Sequence, residues 1–133
     1  MEKVRMILPQ DCSDLIGIHI RRTDLTESIS RSPTELFERA IETEIEKNPN
    51  VRFYLATDSA EEQQRLISIF GTRIIVNADK TISRKTQQGM VDALVDLVCL
   101  SRTPKIFGSY WSSFSETAAA LGETELIVLQ NPK

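Results

Sequence analysis

The chain has 133 residues, 41% hydrophobic and 26% charged, with a net charge of −3 and a pI near 5.2. That is enough for one soluble globular domain with a proper core, and too acidic for general nucleic-acid binding, which needs a basic surface. No apolar run reaches the ~18 residues of a membrane span, no signal peptide is read, and Cys12 and Cys99 lack metal-ligand spacing and suggest no disulfide framework, so a cytoplasmic setting is expected.

Residues 1–14 hold Val4, Met6, Ile7 and Leu8, a short lead-in strand or an arm, and then a connection from Pro9. Residues 15–20 predict the first strand. Ile16, Ile18 and Ile20 fall on one face and Gly17, His19 and Arg21 on the other. The apolar run stops at Arg21-Arg22-Thr23-Asp24. Adjacent arginines at a strand end are commonly solvated or paired with surface carboxylates. Here they follow a buried strand and stand beside the only histidine of the chain. Guanidinium forks hold phosphate or carboxylate oxygens through two bonds, so this stretch reads as a phosphate-binding centre.

Residues 26–31 read as a loop. Ser32-Pro33-Thr34-Glu35 predicts a helix start, with Ser32 as N-cap, Pro33 in the first position and Glu35 completing a capping box. Leu36, Phe37, Ala40, Ile41 and Ile45 recur with helical spacing, and Asn48-Pro49 ends the run. Residues 51–56 predict the second strand, closed by Thr57-Asp58-Ser59. Ser59-Ala60-Glu61-Glu62 is a second capping box, opening a helix to about Phe70 with Gly71 as its stop. Residues 73–76 predict the third strand. Residues 77–86 form a polar loop of about ten residues, long enough for a functional loop.

Residues 88–101 form the most apolar helix, implying burial on several sides. Residues 105–108 predict the fourth strand, 114–121 a helix capped by Gly122, and 125–130 the last strand. Strand and helix alternate throughout. The expectation is one α/β domain over residues 1–133, a Rossmann-like three-layer α/β/α fold with a mainly parallel sheet of about five strands and residues 16–20 central.

In such a sheet the strand ends share one edge, where ligands bind. Four polar clusters fall there: His19 to Asp24, Thr57 to Ser59, Asp96, and Ser112-Ser113-Phe114-Ser115. The serines stand at a helix start, where free N–H groups suit a phosphate; one of them as a plain N-cap is compatible with that. Asp96 lies among Leu94, Val95, Leu97 and Val98 and is costly to bury unpaired. It suits the two donors of a guanine ring, or an intramolecular partner. Asp92, one turn earlier, falls on the same side, with a simply exposed position as the plain alternative. Asp58 also suits turn and cap chemistry.

His19-Ile20-Arg21-Arg22-Thr23-Asp24 resembles the H-x-R-R-x-D motif of α1,6-fucosyltransferases, their nodulation-type bacterial relatives and, more distantly, protein O-fucosyltransferases. Ala56-Thr57-Asp58 resembles their second motif, and residues 96–101 followed by 112–115 their third region. The resemblance runs from about Ile16 to Leu121. It implies the carboxyl-terminal, donor-binding lobe of a GT-B-like enzyme that transfers fucose from GDP-fucose with inversion and without a metal. Arg21 would then hold the pyrophosphate with support from Arg22, His19 and Asp96 would contact guanine, Ser112 and Ser113 would touch phosphate, and Asp24 and Asp58 would shape the pocket. Glu27 is the nearest candidate for the acceptor's base. The chain lacks a D-x-D motif, has Leu25 where lysine is common, and has Ser59 where a second aspartate is common. The expected partners are a nucleotide sugar, a carbohydrate or glycoconjugate acceptor, and an acceptor-binding lobe in a longer parent chain. The alternatives are a non-catalytic nucleotide-sugar module and an interaction domain without a ligand.

Overall fold

A computed structural model describes residues 7–8, 13–20, 34–57, 59–77, 87–109 and 113–129. The elements are β1 (Leu15–Ile20), α1 (Thr34–Lys47), β2 (Arg52–Thr57), α2 (Ala60–Phe70), β3 (Ile74–Ile75), α3 (Gln87–Ser101), β4 (Lys105–Ser109), α4 (Ser113–Gly122) and β5 (Glu125–Leu129). The five strands run in the order β3-β2-β1-β4-β5, and every pairing is parallel. This is the Rossmann-like α/β/α sheet that the alternation predicts, with β1 at its centre.

The alternation along β1 builds two cores. Ile16, Ile18 and Ile20 pack with Phe53 and Leu55 of β2 against Phe37 and Ile41 of α1 and Leu66 of α2. Leu15 packs on the other side with Tyr54, Ala56 and Ile106 against Val95, Cys99 and Leu100 of α3 and Ala118 of α4. Burying a side chain such as Phe37 or Ile41 contributes roughly 1.5–3 kcal/mol. Ile7 and Leu8 pack against the second core without joining the sheet. No helix among the described residues is long and apolar enough to cross a membrane.

Local chemistry shifts several boundaries. α1 ends at Lys47, before Asn48-Pro49; its expected cap at Ser32 and Pro33, and the loop at 26–31, lie outside the described residues. Ser59 caps α2 by accepting the Glu62 N–H at 3.3 Å. The reciprocal half of that box is replaced. The Ser59 N–H donates to Thr57 Oγ1, and the Glu62 carboxylate accepts from Thr34 on α1. β3 is shorter than expected because Gly71–Arg73 coils into a 3₁₀ turn, and Arg73 Nη1 donates to the Val51 carbonyl at 2.8 Å. Gly71 stops α2 at φ +61°, a conformation glycine adopts without strain.

At the amino ends of the strands, a hollow of about 310 Å³ is lined by Asp14, Glu44, Asn48, Lys105 and Glu125, among others. Glu44 on α1 meets Lys105 of β4 at 2.9 Å and Lys47 at 3.5 Å. Burial pushes the Glu44 carboxyl up, but Lys105 and Lys47 outweigh it and hold the net value below the ordinary 4.5. A depressed folded pKa contributes stability that is complete above the unfolded value and is lost as pH falls through the folded one. Glu44→Gln should therefore cost about 1 kcal/mol at pH 7, and the difference from wild type should vanish as the pH drops below about 4.5. Urea unfolding of both proteins across pH 3–7 measures this; a gap that stays constant across the range would refute the pairing as its source.

Candidate active site at the carboxyl edge of the sheet

All five strands end on one edge, and α2 and α4 begin there. β1 and β2 are tied at this edge, since Thr57 Oγ1 donates to the Ile20 carbonyl at 2.7 Å. Thr57 also accepts the Ser59 N–H at 3.2 Å, so one hydroxyl joins a strand end to a helix cap.

His19 lies on the side of the sheet that α3 and α4 cover, with 3% of its surface exposed. Its ring stacks on Phe114 in the first turn of α4, with centroids 4.7 Å apart and planes 28° from parallel. Gly108, the β4 neighbour of His19, allows this closeness. A Cβ there would stand 2.8 Å from Ser115 Oγ and 3.0 Å from Ser115 Cβ. With only hydrogen at that point, the amino-terminal turn of α4 lies directly on the end of β4. The first N–H groups of a helix have no intrahelical acceptors and carry a partial positive charge, a ready place for an anion. His19 is thus held beside a helix amino terminus.

α3 presents an apolar stripe interrupted by two carboxylates to the same side. Asp92, Val95, Asp96, Cys99 and Leu100 are its sheet-facing positions, at helical spacing. Leu100 reaches the backbone of Gly17, standing 2.9 Å from where a Cβ would be. One turn up from Leu100 is Asp96, a rise of roughly 5–6 Å. Two residues up from Gly17 is His19, a rise of roughly 6–7 Å. Asp96 and His19 therefore lie on the same side of the sheet, both toward the carboxyl edge from the Leu100–Gly17 contact. Asp92 stands one turn higher, at the level where β1 and β2 end.

Asp92 is 1% exposed and Asp96 5%. The first value agrees with the expectation that Asp92 shares the side of Asp96 and sets aside the exposed alternative. Asp96 Oδ1 accepts the Tyr54 hydroxyl at 2.5 Å. Burial, then the adjacent Asp96 charge and Cys99, push the Tyr54 hydroxyl far above the ordinary tyrosine range, so it stays a donor. Asp96 thus has the neutral Tyr54 hydroxyl as a buried internal partner.

Asn77, which follows β3 at this edge, is 2% exposed, and its Nδ2 has no hydrogen-bond partner among the described residues. Sequence alone places it in a polar loop and gives it no role. Nothing in the sequence marks it as buried.

Of the sequence-derived site residues, His19 and Asp96 are brought to one side of one edge. Ser113 opens α4 at that edge, with its side chain outside the described set. Arg21, Arg22, Asp24, Glu27, Asp58 and Ser112 lie outside the described residues. Among the described residues no group of three or more His, Cys, Asp or Glu side chains is arranged to hold a metal.

No protein-family model and no curated protein matches the chain. Solved structures do. The fucosyltransferase NodZ from Bradyrhizobium is similar with a TM-score of 0.59 and 21% identity, over 90% of this chain and 40% of that one. A NodZ alpha-1,6-fucosyltransferase soaked with GDP-fucose matches with a TM-score of 0.53 and 22% identity, over 84% of this chain and 37% of that one. POFUT1 in its apo form matches with a TM-score of 0.63 and 10% identity, over 96% of this chain and 45% of that one. The chain therefore spans less than half the length of each. At these identities the likeness establishes the fold alone, a Rossmann-like α/β/α architecture shared with part of each of these fucosyltransferases.

Proposed function

We propose that this chain is the donor-binding domain of a fucosyltransferase-like glycosyltransferase. It binds GDP-fucose or a related nucleotide sugar for inverting transfer to a carbohydrate or glycoconjugate acceptor. The observation that carries the reading is that His19, stacked on Phe114 in the first turn of α4, and Asp96 of α3, bonded to Tyr54, are both buried on the side of the sheet that α3 and α4 cover. A helix amino terminus suits a diphosphate and a carboxylate suits the N1–H and exocyclic amine of guanine. The fold shared with a fucosyltransferase soaked with GDP-fucose supports the same ligand.

In this reading His19 and Asp96 contact the guanine end. Ser112, Ser113 and the α4 amides hold phosphate. Arg21, supported by Arg22, faces the diphosphate and stabilises the charge that grows on it as the leaving group departs. Asp24 and Asp58 shape the pocket, and Glu27 serves as the acceptor's base. No metal is required, because guanidinium and amide donors supply the positive charge. The acceptor binds on a second lobe.

Asp96→Asn replaces one acceptor with a donor that faces guanine donors. It should weaken GDP binding at least tenfold, the scale of a hydrogen bond to a charged group, and leave ADP within about twofold. Isothermal titration with both nucleotides decides this. Equal losses for GDP and ADP would remove the base-reading role and leave a generic diphosphate site.

A second reading keeps the nucleotide-sugar site of His19 and Asp96 as a binding module without turnover. Fucose release from GDP-fucose, with and without an added acceptor, separates the two.

A further inference from the structure

Tyr54 is fully buried in β2, among Ala56, Val95 and Leu100. Phenylalanine would fill the same space without the desolvation cost of a hydroxyl. The hydroxyl is oriented: it donates to Asp96 Oδ1 across the gap between the sheet and α3. A carboxylate on a helix can still rotate about its two side-chain torsions. Holding one oxygen on a rigid strand fixes the plane of the group and the direction of its other oxygen. That matters for a ligand read by two parallel donors, because both oxygens must lie in the donors' plane.

We propose that Tyr54 is a positioning residue for guanine recognition: its hydroxyl sets the plane of the Asp96 carboxylate that meets the base. The inference rests on the donor-binding reading above and adds to it a residue that need not touch the ligand. Tyr54 acts through Asp96, and its effect falls on base selectivity rather than on diphosphate affinity. The neighbourhood favours a bond that persists. Burial and the adjacent carboxylate both keep Tyr54 protonated, and a hydrogen bond to a charged group is stronger in a low-dielectric interior.

Isothermal titration of wild type, Tyr54→Phe, Asp96→Asn and the double variant with GDP and ADP tests this. Tyr54→Phe should reduce the preference for GDP over ADP about tenfold, the scale of one hydrogen bond to a charged group, with ADP affinity unchanged. A purely structural role would lower the melting temperature and leave that ratio intact. In the Asp96→Asn background, Tyr54→Phe should cause no further loss of selectivity. An unchanged GDP:ADP ratio in Tyr54→Phe, or additive losses in the double variant, overturns the positioning role while leaving the donor-binding reading in place. A wild type that does not distinguish GDP from ADP overturns the guanine reading itself, and the positioning role with it. Should Tyr54→Phe fail to fold, the downfield hydroxyl proton of Tyr54 in wild type still decides. It should shift on addition of GDP and stay put with ADP; a resonance that GDP leaves unmoved refutes the proposal.

Discussion

Arg21→Ala should weaken GDP binding by roughly 1.5–3 kcal/mol, the range for hydrogen bonds to charged groups. Arg21 follows the last residue of β1, the central strand. In the donor-binding reading its guanidinium grips the diphosphate through two parallel bonds. Arg21→Lys should lose much of the same affinity, since an ammonium cannot reproduce the planar fork. Wild type should bind GDP equally well with excess EDTA present, because the charge on the diphosphate is met by arginine and helix amides. Titration of the three proteins, with the chelator as a separate arm, measures all of this. Equal GDP affinity in wild type and Arg21→Ala would remove the phosphate role, and loss of binding in EDTA would put a cation in the site.

The largest stability effect should come from Gly122→Ala. A Cβ at Gly122 would sit 1.9 Å from the Ser101 carbonyl oxygen and 2.7 Å from its carbon. Both are backbone atoms, and they belong to the last residue of α3. The carboxyl ends of α3 and α4 therefore touch at this glycine. An alanine must wedge open the contact between helices that cover the same face of the sheet, at a cost of about 3 kcal/mol and about 10 °C in melting temperature. The sign is the informative feature. At an unobstructed helical site Gly→Ala stabilises by about 0.4–1 kcal/mol, by restricting the unfolded chain. Calorimetry showing a variant as stable as wild type would mean that the helices separate freely. Because α4 also carries Phe114 against His19, the same substitution should weaken nucleotide binding.

The fold was legible because each element carried its own period. Ile16, Ile18 and Ile20 mark β1 by alternation, Phe37 and Ile41 mark the buried stripe of α1, and Ser59 and Gly71 bracket α2. Strand–helix alternation then left few topologies open. What escaped was set by tertiary neighbours. Glu62 completes a capping box by spacing, yet its carboxylate turns to Thr34, twenty-eight residues away in sequence. β3 starts a residue late because Gly71–Arg73 coils into a 3₁₀ turn. In the site, His19 and Asp96 could be singled out by type, but the Tyr54 bond and the burial of Asn77 join elements that no local window spans.

The position of β1 also governs the order in which the molecule can assemble. It is the innermost strand and the first of the five to be synthesised. Its partner on one side, β2, follows after a single helix, but its partner on the other, β4, pairs Ile106 with Gly17, about ninety residues later. At ordinary translation speeds that interval lasts roughly 5–20 s. Throughout it, the β4-facing edge of β1 has unpaired N–H and C=O groups, a template for pairing with another nascent chain. Closing so long a loop also makes pairing with β4 a late and slow step. The strand that delivers His19 to the carboxyl edge thus gains its second neighbour only when most of the domain has been made.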